Sequence, residues 1–287
     1  MTPDALASSF RSHSRLEGAL AANLDGWMRE PGTLGRYLAL TPKPNPGEAC
    51  LVDIGCYQPT VGYYFELGWQ HVIGVFKDEG EATLHEGYAS PQGQRVDFVM
   101  RDVESQRLDL PDNFVDAVVM MQVWEHFALD PMAVLWEINR ILKPGGRCVL
   151  STPNGACWRY LMRILLGSAA WDGMEFIGFS TNRHNRLYDS FEMPPLFQQA
   201  GFAVNACYSG DFGVYPFTRK ERVFRAAIKA FDALTSRGRT RERDLTLVVQ
   251  ATKQGAPSER YPRGLYLDDE SWPGIAEERE RLKRLQP

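Results

Sequence analysis

RDVESQRLDLPDNFVDAVVMMQVWEHFALDPMAVLWEINRILKPGGRCVLSTPN, residues 101–154, is the stretch whose period decides the fold. After the turn-forming Pro111-Asp112-Asn113, the apolar run Phe114 to Met121 predicts a strand buried on both faces. A helix follows. Asp130 suits its cap and Pro131 its first position, while Val134, Leu135, Ile138, Ile141 and Leu142 recur every three or four residues as one apolar stripe. Lys143-Pro144-Gly145-Gly146 predicts its end, because a cation favours a helix C-terminus, proline cannot continue and glycine turns the chain. Cys148 to Leu150 then reads as the next buried strand. Strand, helix and strand joined this way form a right-handed crossover between parallel strands. Met121 to His126 and Thr152 to Asn154 therefore share the carboxyl edge of the sheet, where open α/β folds bind ligands.

The 287 residues, 44% hydrophobic, suffice for one large domain with a full core. A net charge of −4 disfavours a dedicated nucleic-acid binder. No apolar stretch reaches the length of a membrane span, and the polar N-terminus lacks a signal-peptide core, so the expected location is the cytoplasm. Cys50, Cys56, Cys148, Cys157 and Cys207 lack paired spacing and sit in apolar runs, which predicts buried reduced thiols.

Outward from the central stretch, residues 1–40 read as helical, to serve as a lid or to pack on the sheet, and the three prolines of residues 41–47 mark a linker. Ala49 to Ile54, Trp69 to Phe76 and Arg95 to Met100 are the expected earlier strands, and Phe202 to Tyr208 and Leu245 to Thr252 the later ones. Residues 154–186 form an insertion, with an apolar helix from Trp158 to Leu166 and an aromatic loop bearing Trp171, Phe176 and Phe179. The adjoining Arg183-His184-Asn185-Arg186 either presents donors to a hydroxylated or acidic substrate or stitches the insertion down. Phe191 to Ala200 reads as a helix. In the second insertion, 210–243, a helical stripe from Val223 to Leu234 is flanked by Arg219, Lys220, Arg222, Arg225, Lys229, Arg237, Arg239, Arg241 and Arg243. That basic face either meets a membrane or membrane-linked glycan or is simply solvated, since nearby acids dilute it. Ile275 to Arg284 reads as a charged helix. The expected division is thus a leading segment 1–46, a core domain 47–253 with its two insertions, and a tail 254–287.

Asp53-Ile54-Gly55-Cys56, Asp102, Val123-Trp124-Glu125-His126, Leu142-Lys143-Pro144-Gly145-Gly146 and Ser151-Thr152-Pro153-Asn154 together resemble the class I S-adenosylmethionine (SAM)-dependent methyltransferases, of the type 11/12 kind. The resemblance covers roughly residues 49–209, and residues 259–266 are similar to the end of methyltransferases of bacterial polysaccharide biosynthesis. It implies an α/β, Rossmann-like fold: a mostly parallel seven-stranded sheet, helices on both faces and a helical insertion after the fifth strand. It also implies SAM as cofactor, held by Asp53, Gly55, Cys56 and Tyr57 after the first strand, Phe76 and Lys77 after the second, Asp102 and Val103 after the third, and Met121 and Gln122 after the fourth. Trp124 is placed to wall the pocket. The sequence departs from the family where Tyr57 and Pro59 replace two loop glycines and Phe76 replaces the acid that accepts from the ribose, so that either Asp78 or Glu79 reaches in, or the ribose is held otherwise, or SAM is not bound.

His126 and His184 are the candidate bases for removing a proton from an acceptor hydroxyl, with His126 alternatively an orienting scaffold residue. No metal-ligand triad is apparent, so no metal is expected. These residues point to an O-methyltransferase acting on a small molecule, either a sugar or glycan or another hydroxylated metabolite. The alternative is a methyltransferase-like binding or scaffold protein without catalysis, the reading that Tyr57, Pro59 and Phe76 favour.

Overall fold

A computed structural model describes residues 40–56, 61–77, 87–89, 93–168, 184–212, 217–235, 242–258, 261–262, 265–266 and 277. The expected helical segment of residues 1–39 lies outside these, as do Tyr57, Pro59, Asp78, Glu79, Trp171, Phe176, Phe179, Arg183, Arg237, Arg239 and Arg241, and the tail helix apart from Glu277.

The strands of the central crossover are β5, Val115–Met121, and β6, Leu142–Pro153, joined by helix α2, Pro131–Ile141. Asp130 caps α2 by accepting from the Met132 amide at 3.0 Å, and Pro131 begins the helix where its missing N–H costs nothing. The helix stops at Ile141, and Leu142 is already paired with Val115. Lys143-Pro144-Gly145-Gly146, expected to close the helix, instead forms an irregularity in β6, whose pairing with β5 resumes at Ala117–Arg147. Gly145 supplies the positive φ of 78° that this detour needs.

Around this unit lie β1 (Cys50–Ile54), β2 (His71–Phe76), β4 (Arg95–Met100), β7 (Phe202–Gly210) and β8 (Thr246–Lys253). With β5 and β6 these are the seven expected strands. A two-residue strand, β3 (Tyr88–Ala89), adds an antiparallel edge on β4 that the sequence pattern did not reveal. The order is β3-β4-β2-β1-β5-β6-β8-β7, with β4, β2, β1, β5 and β6 parallel and β8 antiparallel to both its neighbours, so that β7 runs with the parallel set. The remaining helices are α1 (Val61–Leu67), α3 (Trp158–Leu165) in the insertion after β6, α4 (Met193–Gln199) and α5 (Arg219–Thr235).

Alternation along the central strands divides the core between the two faces. Val52, Ile54, Val118 and Met120 pack with Val134, Leu135 and Ile138 of α2 and Leu196 and Phe197 of α4. Leu51, Ala117, Val119 and Met121 pack with Val61, Tyr64 and Phe65 of α1. Fully burying each such large side chain contributes about 1.5–3 kcal/mol, so both faces of the sheet are held firmly behind the carboxyl edge. No helix among the described residues is long and apolar enough to cross a membrane.

Candidate functional site

The parallel strands β1, β2, β4 and β5 all end on one edge, in register: Ile54 pairs with Val75 and Met120, and Phe76 with Met100. Gly55 turns out of β1 at φ 76°, and a Cβ there would stand 2.2 Å from Val123 Cγ2. Only glycine satisfies both the left-handed backbone and the contact. The amides of Gly55 and Cys56 donate to the Val75 carbonyl at 2.8 and 3.0 Å, tying this turn to β2. Behind it Asp53 is buried and accepts from the Tyr64 hydroxyl at 2.8 Å. Tyr57, the next expected site residue, lies outside the described residues.

At the end of β2, half-buried Phe76 rests edge-on against Phe98, with ring centroids 6.2 Å apart. The neighbouring Lys77 reaches across to Asp102 at the end of β4, with Nζ 2.7 Å from Oδ2. The other Asp102 oxygen accepts from the Glu104 amide at 3.1 Å, and the Asp102 amide donates to Gln106 Oε1 at 3.0 Å, so this carboxylate is both oriented and paired with a cation. Val103, beside it, packs against the core. Glu104 had drawn no attention in the sequence. It is buried, and Oε1 accepts from the amides of Ala128 and Leu129 at 2.7 Å each, which fixes the loop after β5 to the loop after β4.

Beyond β5 the backbone at Gln122 adopts φ 59°, a left-handed conformation that costs a residue bearing a Cβ about 1–2 kcal/mol. Its amide donates to the Ser151 carbonyl at 2.8 Å and its side-chain amide to Ser151 Oγ at 3.3 Å, while the Ser151 hydroxyl approaches Met121 Sδ at 3.5 Å. The next residues make a single tight turn, Trp124–His126. This turn corrects one expectation: Trp124 does not wall a pocket but is wholly buried, with its ring among Phe127, Tyr188 and Phe197.

Glu125 is 1% exposed and accepts from the Thr152 hydroxyl at 3.0 Å, and its other oxygen stands 4.0 Å from His126 Nε2. Its carbonyl accepts from the Asn185 amide at 2.7 Å, and Asn185 Nδ2 donates to the His126 carbonyl at 2.7 Å. These bonds draw the return of the insertion onto the turn after β5. They set exposed His184 beside His126, with ring centroids 5.1 Å apart and planes at 64°. Arg186 is committed elsewhere, 2.7 Å from Glu192 and over the Tyr188 ring. Of the polar cluster, then, Asn185 and Arg186 stitch the insertion and His184 joins the site.

One carboxylate oxygen of Glu125 and one ring nitrogen each of His126 and His184 lie within 4.8 Å of one another. Such a trio sets a buried carboxyl group against two imidazoles, groups able to relay a proton, and it is also a donor set that a divalent ion accepts. The sequence reading, which found no ligand spacing, did not foresee this grouping, because His184 is brought in only by tertiary structure. Asn154, at the end of the same stretch, is a staple: Nδ2 donates to the carbonyls of Glu242 and Asp244 at 3.0 and 2.9 Å. Four of the thiols are unsuited to nucleophilic work, since burial pushes Cys50 and Cys148 up to about 12 and Cys157 and Cys207 to about 11.

A family model described as a methyltransferase domain matches residues 27–206, starting inside the segment expected to precede the domain. The ubiquinone biosynthesis O-methyltransferase of Aeromonas salmonicida is 29% identical over 157 residues, 54% of this chain and 63% of that protein. The protein of the same name from Dechloromonas aromatica is 30% identical over 118 residues, 40% of this chain and 49% of that one. The chain thus spans about half to three fifths of the length of these curated relatives. Among solved structures, an S-adenosylmethionine dependent methyltransferase from Mesorhizobium loti is similar at 18% identity and TM-score 0.44, covering 76% of this chain and 95% of that one. A SAM dependent methyltransferase from Archaeoglobus fulgidus is similar at 16% identity and TM-score 0.46, covering 81% and 92%.

Proposed function

The chain belongs to the methyltransferase-domain family, and from that membership we propose that it is a SAM-dependent O-methyltransferase acting on a small hydroxylated metabolite of quinone type. The observation that carries this reading is the meeting, on one sheet edge, of the Gly55 turn, the Lys77–Asp102 pair and the Glu125–His126–His184 cluster. SAM supplies an electrophilic methyl group carried on a sulfonium.

The residues present fit that cofactor in a modified way. Phe76 has no oxygen to accept from ribose hydroxyls, but the Lys77 ammonium beside it would donate to their oxygens instead, and the Phe76 ring would supply an apolar wall. Asp102 would accept from the adenine amino group and the Val103 amide would donate to the ring. Gly55 and Cys56, with the Asp53–Tyr64 pair at the end of the same strand, would hold the methionine part on one side, and the backbone of Met121 and Gln122 would hold it on the other. Alignment of this kind supplies on the order of 7–11 kcal/mol of barrier reduction.

His126 and His184 face the acceptor. One imidazole takes the hydroxyl proton, and buried Glu125 stabilises the imidazolium that results. Relatives named for ubiquinone biosynthesis favour a quinone-type acceptor over the sugar or glycan hydroxyl. The inactive-scaffold alternative rested on Tyr57, Pro59 and Phe76, and the Lys77 donor answers the last of these.

Methyl transfer from SAM to hydroxylated quinone precursors, measured with a chelator present, tests the proposal. The wild type is expected to turn over, each of His126→Ala and His184→Ala to lose activity, and the double variant to lose about 10²–10⁴-fold. Full turnover by the double variant removes the base. Loss with the chelator that zinc restores assigns the trio to a metal.

A further inference from the structure

We propose that the outward face of α5 docks on an anionic lipid bilayer, a role separate from the catalytic edge. This 17-residue helix packs on the body through Glu221, Phe224, Arg225, Ile228 and Asp232, spaced at three and four residues; every other position is exposed. Those five include both of its acids. Glu221 faces Arg159 at 3.4 Å and accepts from Thr218 at 2.9 Å, while Asp232 accepts from Arg243 at 2.9 Å. Facing solvent instead are Val223, Ala227, Ala230 and Leu234, one stripe along the helix, with Phe231 beside it. Val223 is 64% exposed, Phe231 57% and Leu234 86%. A helix on a water-facing surface ordinarily turns such a stripe inward, and this one is reversed. Helix α3, which contacts α5, also ends on exposed Ile164, Leu165 and Leu166.

The charge around the stripe selects the partner. Arg219, Lys220 and Arg222 are exposed at its N-terminal end, and no carboxylate of α5 shares their side. The acids that the sequence sets near these cations are spent elsewhere: Asp211 pairs with Arg225, and Asp244 with Arg225 and Lys229 at 2.9 and 2.8 Å. Among the described residues the face is thus apolar and cationic only. Anionic headgroups above acyl chains complement both properties, whereas a second copy would offer an equally cationic face with no acid to meet it.

Flotation of the full chain with phosphatidylcholine vesicles, and with vesicles also containing phosphatidylglycerol, tests this. Flotation is expected only with the anionic vesicles, and to weaken as salt is added. Val223→Glu and Leu234→Glu should each lower the bound fraction about tenfold, and joint replacement of Arg219, Lys220 and Arg222 by alanine should abolish the preference for anionic lipid. Because all these side chains are exposed, unchanged melting of the variants separates lost docking from lost folding. No flotation, or equal flotation of wild type and Leu234→Glu, overturns the proposal. So does a dimer in sedimentation equilibrium that Leu234→Glu dissolves without any vesicle binding.

Discussion

Asp116 sits inside the apolar run of β5, where a carboxylate must be repaid with partners. Oδ2 accepts from the amides of Ala49 and Cys50 at 2.9 and 3.0 Å, and Oδ1 from Lys143 at 2.6 Å. Burial alone would raise its pKa, but the two amides and the Lys143 ammonium outweigh burial and hold it below the usual carboxylate value. The stabilisation is therefore complete above the unfolded-state value of about 3.9 and fades as pH falls through the lower folded value. Asp116→Asn should cost about 1–3 kcal/mol at neutral pH in urea unfolding, with a smaller cost at a pH of about 3. An equal cost at both would contradict the assignment. The run was legible as a strand because seven of its eight residues are apolar or tolerate burial, yet the role of the eighth was not, since its partners come from β1 and from the irregularity in β6.

At the scale of elements, period carried the reading well. The stripe of α2, its cap and the apolar run of β5 are local, and the structure repeats them. Trp124 was misplaced because an aromatic after a strand end looks alike whether it lines a cleft or folds back into the core, and only the turn geometry decides. Gly55 belongs to the same junction. Gly55→Ala should destabilise by about 2–5 kcal/mol, the sum of a left-handed backbone and overpacking against Val123. Adding Val123→Ala should restore the packing share and leave about 1–2 kcal/mol, read by thermal unfolding of the single and double variants. No recovery in the double variant would show that Val123 is not the obstacle.

Across the whole molecule, the two core clusters on opposite faces leave the carboxyl edge of the parallel strands as the place where distant residues meet. Lys77 and Asp102 follow two different strands, and His126 comes from the turn after β5 while His184 comes from the return of the insertion after β6. The sequence named each of these residues singly through resemblance, but it held no information on the ion pair or on the imidazole contact, which exist only once the chain is folded. Binding of S-adenosylhomocysteine, followed by titration calorimetry on the full chain, measures whether that edge is a nucleoside site. Wild type is expected to bind with a dissociation constant on the order of micromolar, and Asp102→Ala to bind about ten- to a hundredfold more weakly through loss of a charged hydrogen-bond acceptor. No heat up to millimolar ligand, or undiminished affinity in Asp102→Ala, would contradict the account.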